Sequence, residues 1–167
     1  MRDDLPAIQA IYAHHVLRGL ASFEEVPPDL EEMRRRHAEV TARGLPYLVA
    51  ARQDEVLGFG YCAPYRARSA YRYALEDSVY IREGSAGLGL GSRILAELVA
   101  RCERLGYRQV IAVIGDSANA ASIALHARFG FLRVGTLRST GYKFGRWVDS
   151  VLMQRPLGPG DGTPPAA

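Results

Sequence analysis

Tyr80-Ile81-Arg82-Glu83-Gly84-Ser85-Ala86-Gly87-Leu88-Gly89-Leu90-Gly91-Ser92-Arg93 runs from the end of an apolar strand through alternating glycines into an amphipathic helix. Gly87, Gly89 and Gly91 are free to take backbone angles closed to other residues, so consecutive N–H groups from Gly87 to Ser92 can converge on one anion. The helix that follows adds the positive end of its dipole, which favours a pyrophosphate at that point. Two common phosphate loops do not fit. No Gly-Lys-Ser/Thr follows, and the closing positions of a Gly-x-Gly-x-x-Gly pattern begun at Gly87 or Gly89 are Ser92 and Ile94. A ligand with a pyrophosphate but no metal-bound triphosphate suits the stretch better; the bland alternative is a flexible glycine-rich turn with no ligand.

Outward from the cradle, 167 residues make one domain, long enough to bury a core without disulfides or metal. The net charge is only +3, and the arginines are scattered apart from Arg34, Arg35 and Arg36, which read as a solvated helix face. Neither nucleic acid nor membrane is therefore an expected partner. No signal peptide and no run of about 18 apolar residues is visible, so a cytoplasmic location is expected. Cys62 and Cys102 fall on an expected strand and helix, where buried thiols are the simplest reading. His14 and His15 close the first helix without a metal-spaced partner. Lys143 is the single lysine of the chain.

Asp4-Leu5-Pro6 opens a helix with a capping acid and an early proline, and Pro27-Pro28-Asp29 caps a second, charged helix that stops before Gly44. Tyr47–Arg52 and Glu55–Ala63 read as strands joined across Gln53-Asp54, and Ala74–Ile81 as a third. Pro64–Tyr73 is a loop rich in arginine and tyrosine. Ser92–Leu105 is expected to be helical, with Ile94, Leu95, Leu98, Val99, Cys102 and Leu105 as its buried stripe. Gln109–Ile114 is continuously apolar, as in a strand buried on both faces. Asn119 caps a helix ending at Phe129-Gly130, and Leu132–Arg138 and Val148–Arg155 are the last strands. Residues 158–167 read as a disordered C-terminal tail with nothing to bury.

This order of elements resembles the GNAT superfamily of acyl-CoA-dependent N-acetyltransferases over Leu5 to Leu157. Within it the chain is similar to the subgroup typified by phosphinothricin and methionine sulfoximine N-acetyltransferases. Three stretches carry the closer likeness: Leu75-Glu76-Asp77-Ser78-Val79-Tyr80-Ile81, then Asn119-Ala120-Ala121-Ser122-Ile123 with Leu125-His126 and Phe129-Gly130-Phe131, and Gly141-Tyr142-Lys143-Phe144-Gly145-Arg146-Trp147-Val148-Asp149. The resemblance implies an α/β (α+β) fold, with a mixed, mostly antiparallel central sheet flanked by helices. It implies one acetyltransferase domain over residues 1–157, acetyl-CoA as co-substrate and no metal. Family members begin with a short strand, whereas only Met1 and Arg2 precede Asp3-Asp4-Leu5 here, so one edge strand fewer is expected.

By the same resemblance the backbone of Val79, Tyr80 and Ile81 pairs with the pantetheine arm. Gly87, Leu88, Gly89, Leu90, Gly91 and Ser92 hold the pyrophosphate, and Asn119 contacts the cofactor. The family's cradle opens with Arg or Gln where this chain has Ala86, which removes a side chain but no N–H group and predicts weaker cofactor binding. Glu76 is the expected general base: an α-amine with a reference pKa of about 8 needs only modest help to lose its proton, worth about 10²- to 10⁴-fold. Strand alternation sets Glu76 with Ala74, Ser78 and Tyr80 on one face, and Leu75, Asp77, Val79 and Ile81 on the other. His126, whose reference pKa is about 6.5, is the expected proton donor to the departing thiolate, its bland alternative being a core histidine held by a backbone carbonyl.

A small amino acid analogue is the expected substrate, met by Arg66, Arg72, Asp77, Ser78 and Lys143. The guanidinium groups suit a carboxylate or phosphinate, and Lys143 is expected to face the anionic end of the pocket. Phosphinothricin-type relatives tend to carry Lys-His where this chain has Lys143-Phe144, which tilts the reading toward a methionine-like side chain. Tyr142, Phe144 and Trp147 put more aromatic surface on a late turn than a solvated loop carries, so a homodimer with Trp147 at its interface is expected. A protein or aminoglycoside acetyltransferase is the competing enzyme, disfavoured because the chain lacks a long acidic surface. The competitor from another class is a non-catalytic acyl-CoA-binding sensor, motivated by Ala86.

Overall fold

The computed structural model describes residues 4–165. Helix α1 (Leu5–Arg18) and helix α2 (Leu30–Ala42) come first, followed by strands β1 (Tyr47–Arg52), β2 (Glu55–Pro64) and β3 (Ala74–Ile81). Helix α3 (Leu90–Arg104) and strand β4 (Gln109–Gly115) follow, then helix α4 (Ala120–Arg128) and the strands β5 (Leu132–Lys143) and β6 (Arg146–Pro156). The sheet order is β1-β2-β3-β4-β6-β5, and every neighbouring pair is antiparallel except β3 with β4. A parallel neighbour needs a crossover, and α3 supplies it. The expected loss of an N-terminal edge strand falls on residues 1–3, outside the described residues.

Helices α1 and α3 bury the faces their apolar spacing marks out, except that Leu105, expected in the α3 stripe, lies at the C-cap and is exposed. Helix α3 puts Ile94, Leu95, Leu98, Val99 and Cys102 against Leu75, Val110 and Phe131 on one side of the sheet. Helix α1 puts Ile8, Ile11, Tyr12 and Val16 against Phe59 and Tyr80 on the other. The sheet therefore separates two cores. Asp29 caps α2 by accepting from the Glu32 N–H at 2.8 Å, and Asn119 caps α4 by accepting from the Ser122 N–H at 3.1 Å. Asp4 sits at the N-cap of α1 but makes no capping bond with its side chain. Cys62 and Cys102 are both free and fully buried, and the Cys102 thiol beside it, together with burial, pushes the Cys62 thiol far up.

Several boundaries differ from the sequence reading. Helix α3 starts at Leu90 rather than Ser92, because Gly89 at φ 73° turns the chain directly into it. Strand β4 buries Val110, Ala112 and Ile114 but exposes Val113, so one face is only partly covered. The stretch from Gly141 to Asp149 is the tip of a β-hairpin and not a loop: Tyr142 pairs with Trp147 and Lys143 with Arg146. Phe144 (φ 52°) and Gly145 (φ 73°) form a two-residue turn with positive φ at both central positions, the geometry whose twist matches the flanking strands. The C-terminal segment also finds partners. Leu157 is fully buried, and Arg108 donates to the carbonyls of Gly160 (3.3 Å) and Pro164 (3.0 Å), so residues 157–164 lie bonded against the body.

Candidate active site

The cradle forms where the sequence indicates, though its glycines serve two different ends. Gly84, Gly87 and Gly89 have φ of 78°, 82° and 73°, in the left-handed region that favours glycine. A Cβ at Gly87 or Gly89 would meet nothing within 4 Å, so the backbone angle and the space left for a ligand set the requirement there. Gly91 departs from the expectation: it lies inside α3 without a positive φ, and a Cβ there would stand 3.3 Å from the Leu125 side chain. Close packing of α3 on α4 explains that glycine. The α3 N-cap is Gly89, which has no side chain to bond the first-turn N–H groups, and they remain available for an anion.

One opening in the sheet leads to this cradle. Strands β3 and β4 pair only from Ala74 with Gln109 to Asp77 with Ala112. Beyond that point β3 continues along β2 to Ile81, and β4 continues along β6 to Gly115. The β4-facing edge of Ser78, Val79, Tyr80 and Ile81 is therefore left without a strand partner, which is the backbone a ligand arm can pair with. The Ile81 carbonyl is engaged by the His15 imidazole at 2.8 Å. The Tyr80 ring is buried beside Tyr12 and Phe59. Asn119 at the α4 N-cap and Ser122 and His126 of α4 line the cavity at this opening together with Asp77, Val79 and Ala21.

Glu76 and Asp77 are adjacent and do different things, as strand alternation requires. Glu76 is half-buried, and its pKa is raised mainly by burial, further by the Asp77 charge, with Arg66 pulling the other way. Asp77 points to the opposite face, its side chain only 1% exposed, and its Oδ2 lies 3.0 Å from His126 Nε2. This corrects the assignment of Asp77 to the substrate. His126 Nδ1 lies 2.7 Å from the Ser122 carbonyl, which accepts its proton. Burial by itself pushes the His126 pKa down, but the Asp77 hydrogen bond and charge and the Ser122 carbonyl outweigh it, and the net shift is upward. Both ring nitrogens are thus engaged, while Asp77 Oδ1 is buried without a hydrogen-bond partner. Ser78 shares the Glu76 face and stands across the β2–β3 pair from Tyr61.

The expected substrate residues are not all brought together. Arg66 lies over the Tyr65 ring at 5.0 Å and shares a surface cavity with Arg72, toward the start of β3 and away from Asn119 and His126. Arg72 stacks on Tyr73 at 4.7 Å and donates to the Ser69 carbonyl. Arg66 still reaches Glu76 through its charge. Lys143 contradicts its expected place more plainly. It is 2% exposed, and its Nζ donates to the Gly19 carbonyl at 2.9 Å and the Ser22 carbonyl at 2.6 Å. The charge that was expected to meet a substrate anion is spent on two backbone carbonyls.

Sequence reasoning missed the pairing of Asp77 with His126 and the part played by residues 19–23. A signal for the first was present, since alternation already set Asp77 opposite Glu76. No local signal existed for the second. Among the described residues no group of three or more His, Cys, Asp or Glu is arranged to hold a metal, and no helix is long and apolar enough to cross a membrane.

Comparison with known proteins adds an independent line. The acetyltransferase (GNAT) family pattern matches residues 9–131. The chain is 61% identical over 163 residues to phosphinothricin N-acetyltransferase of Alcaligenes faecalis, covering 98% of this chain and 83% of that one. It is 39% identical over 162 residues to the L-methionine sulfoximine/L-methionine sulfone acetyltransferase of Pseudomonas paraeruginosa, covering 96% and 94%. Among solved structures, a phosphinothricin acetyltransferase of Sinorhizobium meliloti in complex with AcCoA superposes with a TM-score of 0.95 at 46% identity, covering 98% of this chain and 88% of that one.

Proposed function

The chain belongs to the GNAT acetyltransferase family, and from that premise we propose that it moves acetyl from acetyl-CoA to the α-amine of a small amino acid analogue. Phosphinothricin, methionine sulfoximine and methionine sulfone are the analogues to try first. The observation that carries the reading is the open β3–β4 junction, which has the glycine cradle at its end and half-buried Glu76 beside it. The residues present fit the cofactor: two left-handed glycines and a bare helix start suit a pyrophosphate, and the edge from Val79 to Ile81, which has no β4 partner and only the Ile81 carbonyl taken by His15, suits the amides of a pantetheine arm. Asn119 stands at the same opening. When bound there, acetyl-CoA supplies an activated thioester.

The chain's own groups divide the proton work. Glu76 accepts the proton of the incoming amine at its carboxylate, and its raised pKa brings its basicity closer to the task. His126, at the cavity wall, holds its Nε2 proton on Asp77 Oδ2 and its Nδ1 proton on the Ser122 carbonyl, the arrangement of a core histidine, so donation to a departing thiolate requires it to give up the Asp77 bond. Arg66 acts on Glu76 through its charge, and its exposed guanidinium, in the cavity it shares with Arg72, is the proposed partner of a substrate carboxylate. The cysteines take no part, since burial holds the Cys62 thiol protonated and Cys102 is enclosed beside it.

Measuring free thiol release from acetyl-CoA against a panel of amino acids tests the reading. Turnover with phosphinothricin or methionine sulfoximine is expected, and acetyl-CoA binding with no turnover on any amine would leave the sensor reading instead. We place the enzyme in the cytoplasm as a homodimer formed through its last hairpin. Trp147 is 64% exposed, packs edge-on against Tyr142, and lies with exposed Phe144 on a hairpin whose outer strand also exposes Leu132 and Val134. Three exposed aromatic rings at one hairpin tip ask for a cover. Trp147→Ala should shift the protein toward monomer in light scattering at micromolar concentration and lower activity with it. A monomeric wild type with full activity would remove the dimer.

A further inference from the structure

The connection between α1 and α2 is clamped at residues 19–23 by contacts that arrive from far along the chain. Lys143 Nζ bonds the carbonyls of Gly19 and Ser22, the two residues on either side of Leu20-Ala21. Gly115 lies beneath Leu20 so closely that a Cβ there would stand 2.0 Å from the Leu20 carbonyl oxygen. Gly141 faces the Phe23 ring, 2.6 Å from where a Cβ would be. The Ser22 hydroxyl bonds the Tyr12 hydroxyl at 3.0 Å. Neither Gly115 nor Gly141 has a positive φ, so close approach is what each position requires.

The segment so held is one wall of the site. Ala21 itself is exposed, and it lines the same cavity as Asn119, Ser122 and His126. We infer that Lys143 is a positioning residue for the amine substrate, its ammonium clamping residues 19–23 as a rigid wall where the amine and the thioester must meet. A lysine does this better than a neutral donor, because a charged N–H makes the stronger bond to a carbonyl and one ammonium can serve two acceptors. The Phe144 ring, 5.0 Å from Nζ, covers the charge on its remaining side. The single lysine of the chain therefore shapes the pocket from behind without touching the substrate's charge.

The inference rests on the acetyltransferase reading, and its test is separable from it. Wild-type protein that turns over no amino acid would defeat that reading alone. With an active wild type, Lys143→Met should raise KM roughly tenfold or more for both phosphinothricin, whose side chain is anionic, and methionine sulfone, whose side chain is neutral. Affinity for acetyl-CoA, measured by calorimetry, should be unchanged. Lys143→Gln, which keeps N–H donors, should recover part of the loss. Ala21→Leu, at an exposed position that the fold does not depend on, should raise the same KM, and it decides the matter if Lys143→Met fails to fold. A KM rise confined to phosphinothricin would mean that the lysine acts on substrate charge, and an unaltered KM in Ala21→Leu would remove the wall; either result overturns the inference.

Discussion

Glu76→Gln is expected to lower kcat by about 10²-fold or more while acetyl-CoA affinity and the fold persist, because the change keeps shape and removes only proton acceptance. Glu76 is half-buried on β3, and neither of its neighbours on the strand can replace it. Asp77 points to the other face and is committed to His126, and the Ser78 hydroxyl is no base for an amine's proton. The pH dependence has a definite sign. Burial and the Asp77 charge raise the Glu76 pKa above the ordinary carboxylate value, so the active carboxylate form is lost on acidification sooner than for an exposed glutamate. The acidic limb of kcat/KM should lie correspondingly high in the wild type and vanish in Glu76→Gln. Wild-type turnover in the variant, or an unchanged acidic limb, would end the assignment.

Gly89→Val should abolish measurable acetyl-CoA binding, a loss of about 10²-fold or more in affinity, because two penalties coincide at one residue. The left-handed angle of 73° costs a residue with a Cβ about 1–2 kcal/mol, and a β-branched one suffers most. The new side chain also projects into space that the fold leaves empty but a pyrophosphate needs. Gly106, at φ 82° beyond the other end of α3, is the control. Gly106→Ala should carry a similar backbone strain, lower Tm by a few degrees, and leave acetyl-CoA affinity alone. Calorimetric titration beside thermal melts separates the two effects. Unchanged affinity in Gly89→Val would move the cofactor site elsewhere.

Gly91 shows how a motif can be read correctly for an incomplete reason. It belongs to the alternating run that marks the cradle, yet its need for hydrogen comes from Leu125 on the neighbouring helix. The hairpin tip is a second case. Its residues Gly141 to Asp149 lack the alternation of a half-buried strand, since Tyr142, Phe144 and Trp147 are all exposed, and only pairing across the Phe144-Gly145 turn shows it to be sheet.

Local chemistry determined the elements and the cofactor end of the site, because each rests on residues close in sequence. The spans Tyr47–Arg52 and Ala74–Ile81 emerge from alternation and turn residues, α3 from its apolar stripe, and the cradle from glycines that must bend where a helix begins. The face on which Glu76 lies follows from the two-residue period of a strand in the same way. The pairings that finish the site join distant parts of the chain. Asp77 meets His126 across 49 residues, and Lys143 reaches Ser22 and Gly19 across 121 and 124. Residue type narrowed the candidates to carboxylates, a histidine and a lysine, but it could not say which carboxylate holds the imidazole and which is left over, or whether the ammonium faces a substrate or a backbone. Those choices belong to the packing of α4 on β3 and of the last hairpin on the α1–α2 connection, where burial forces every charged group to find a partner whichever residues the fold brings near.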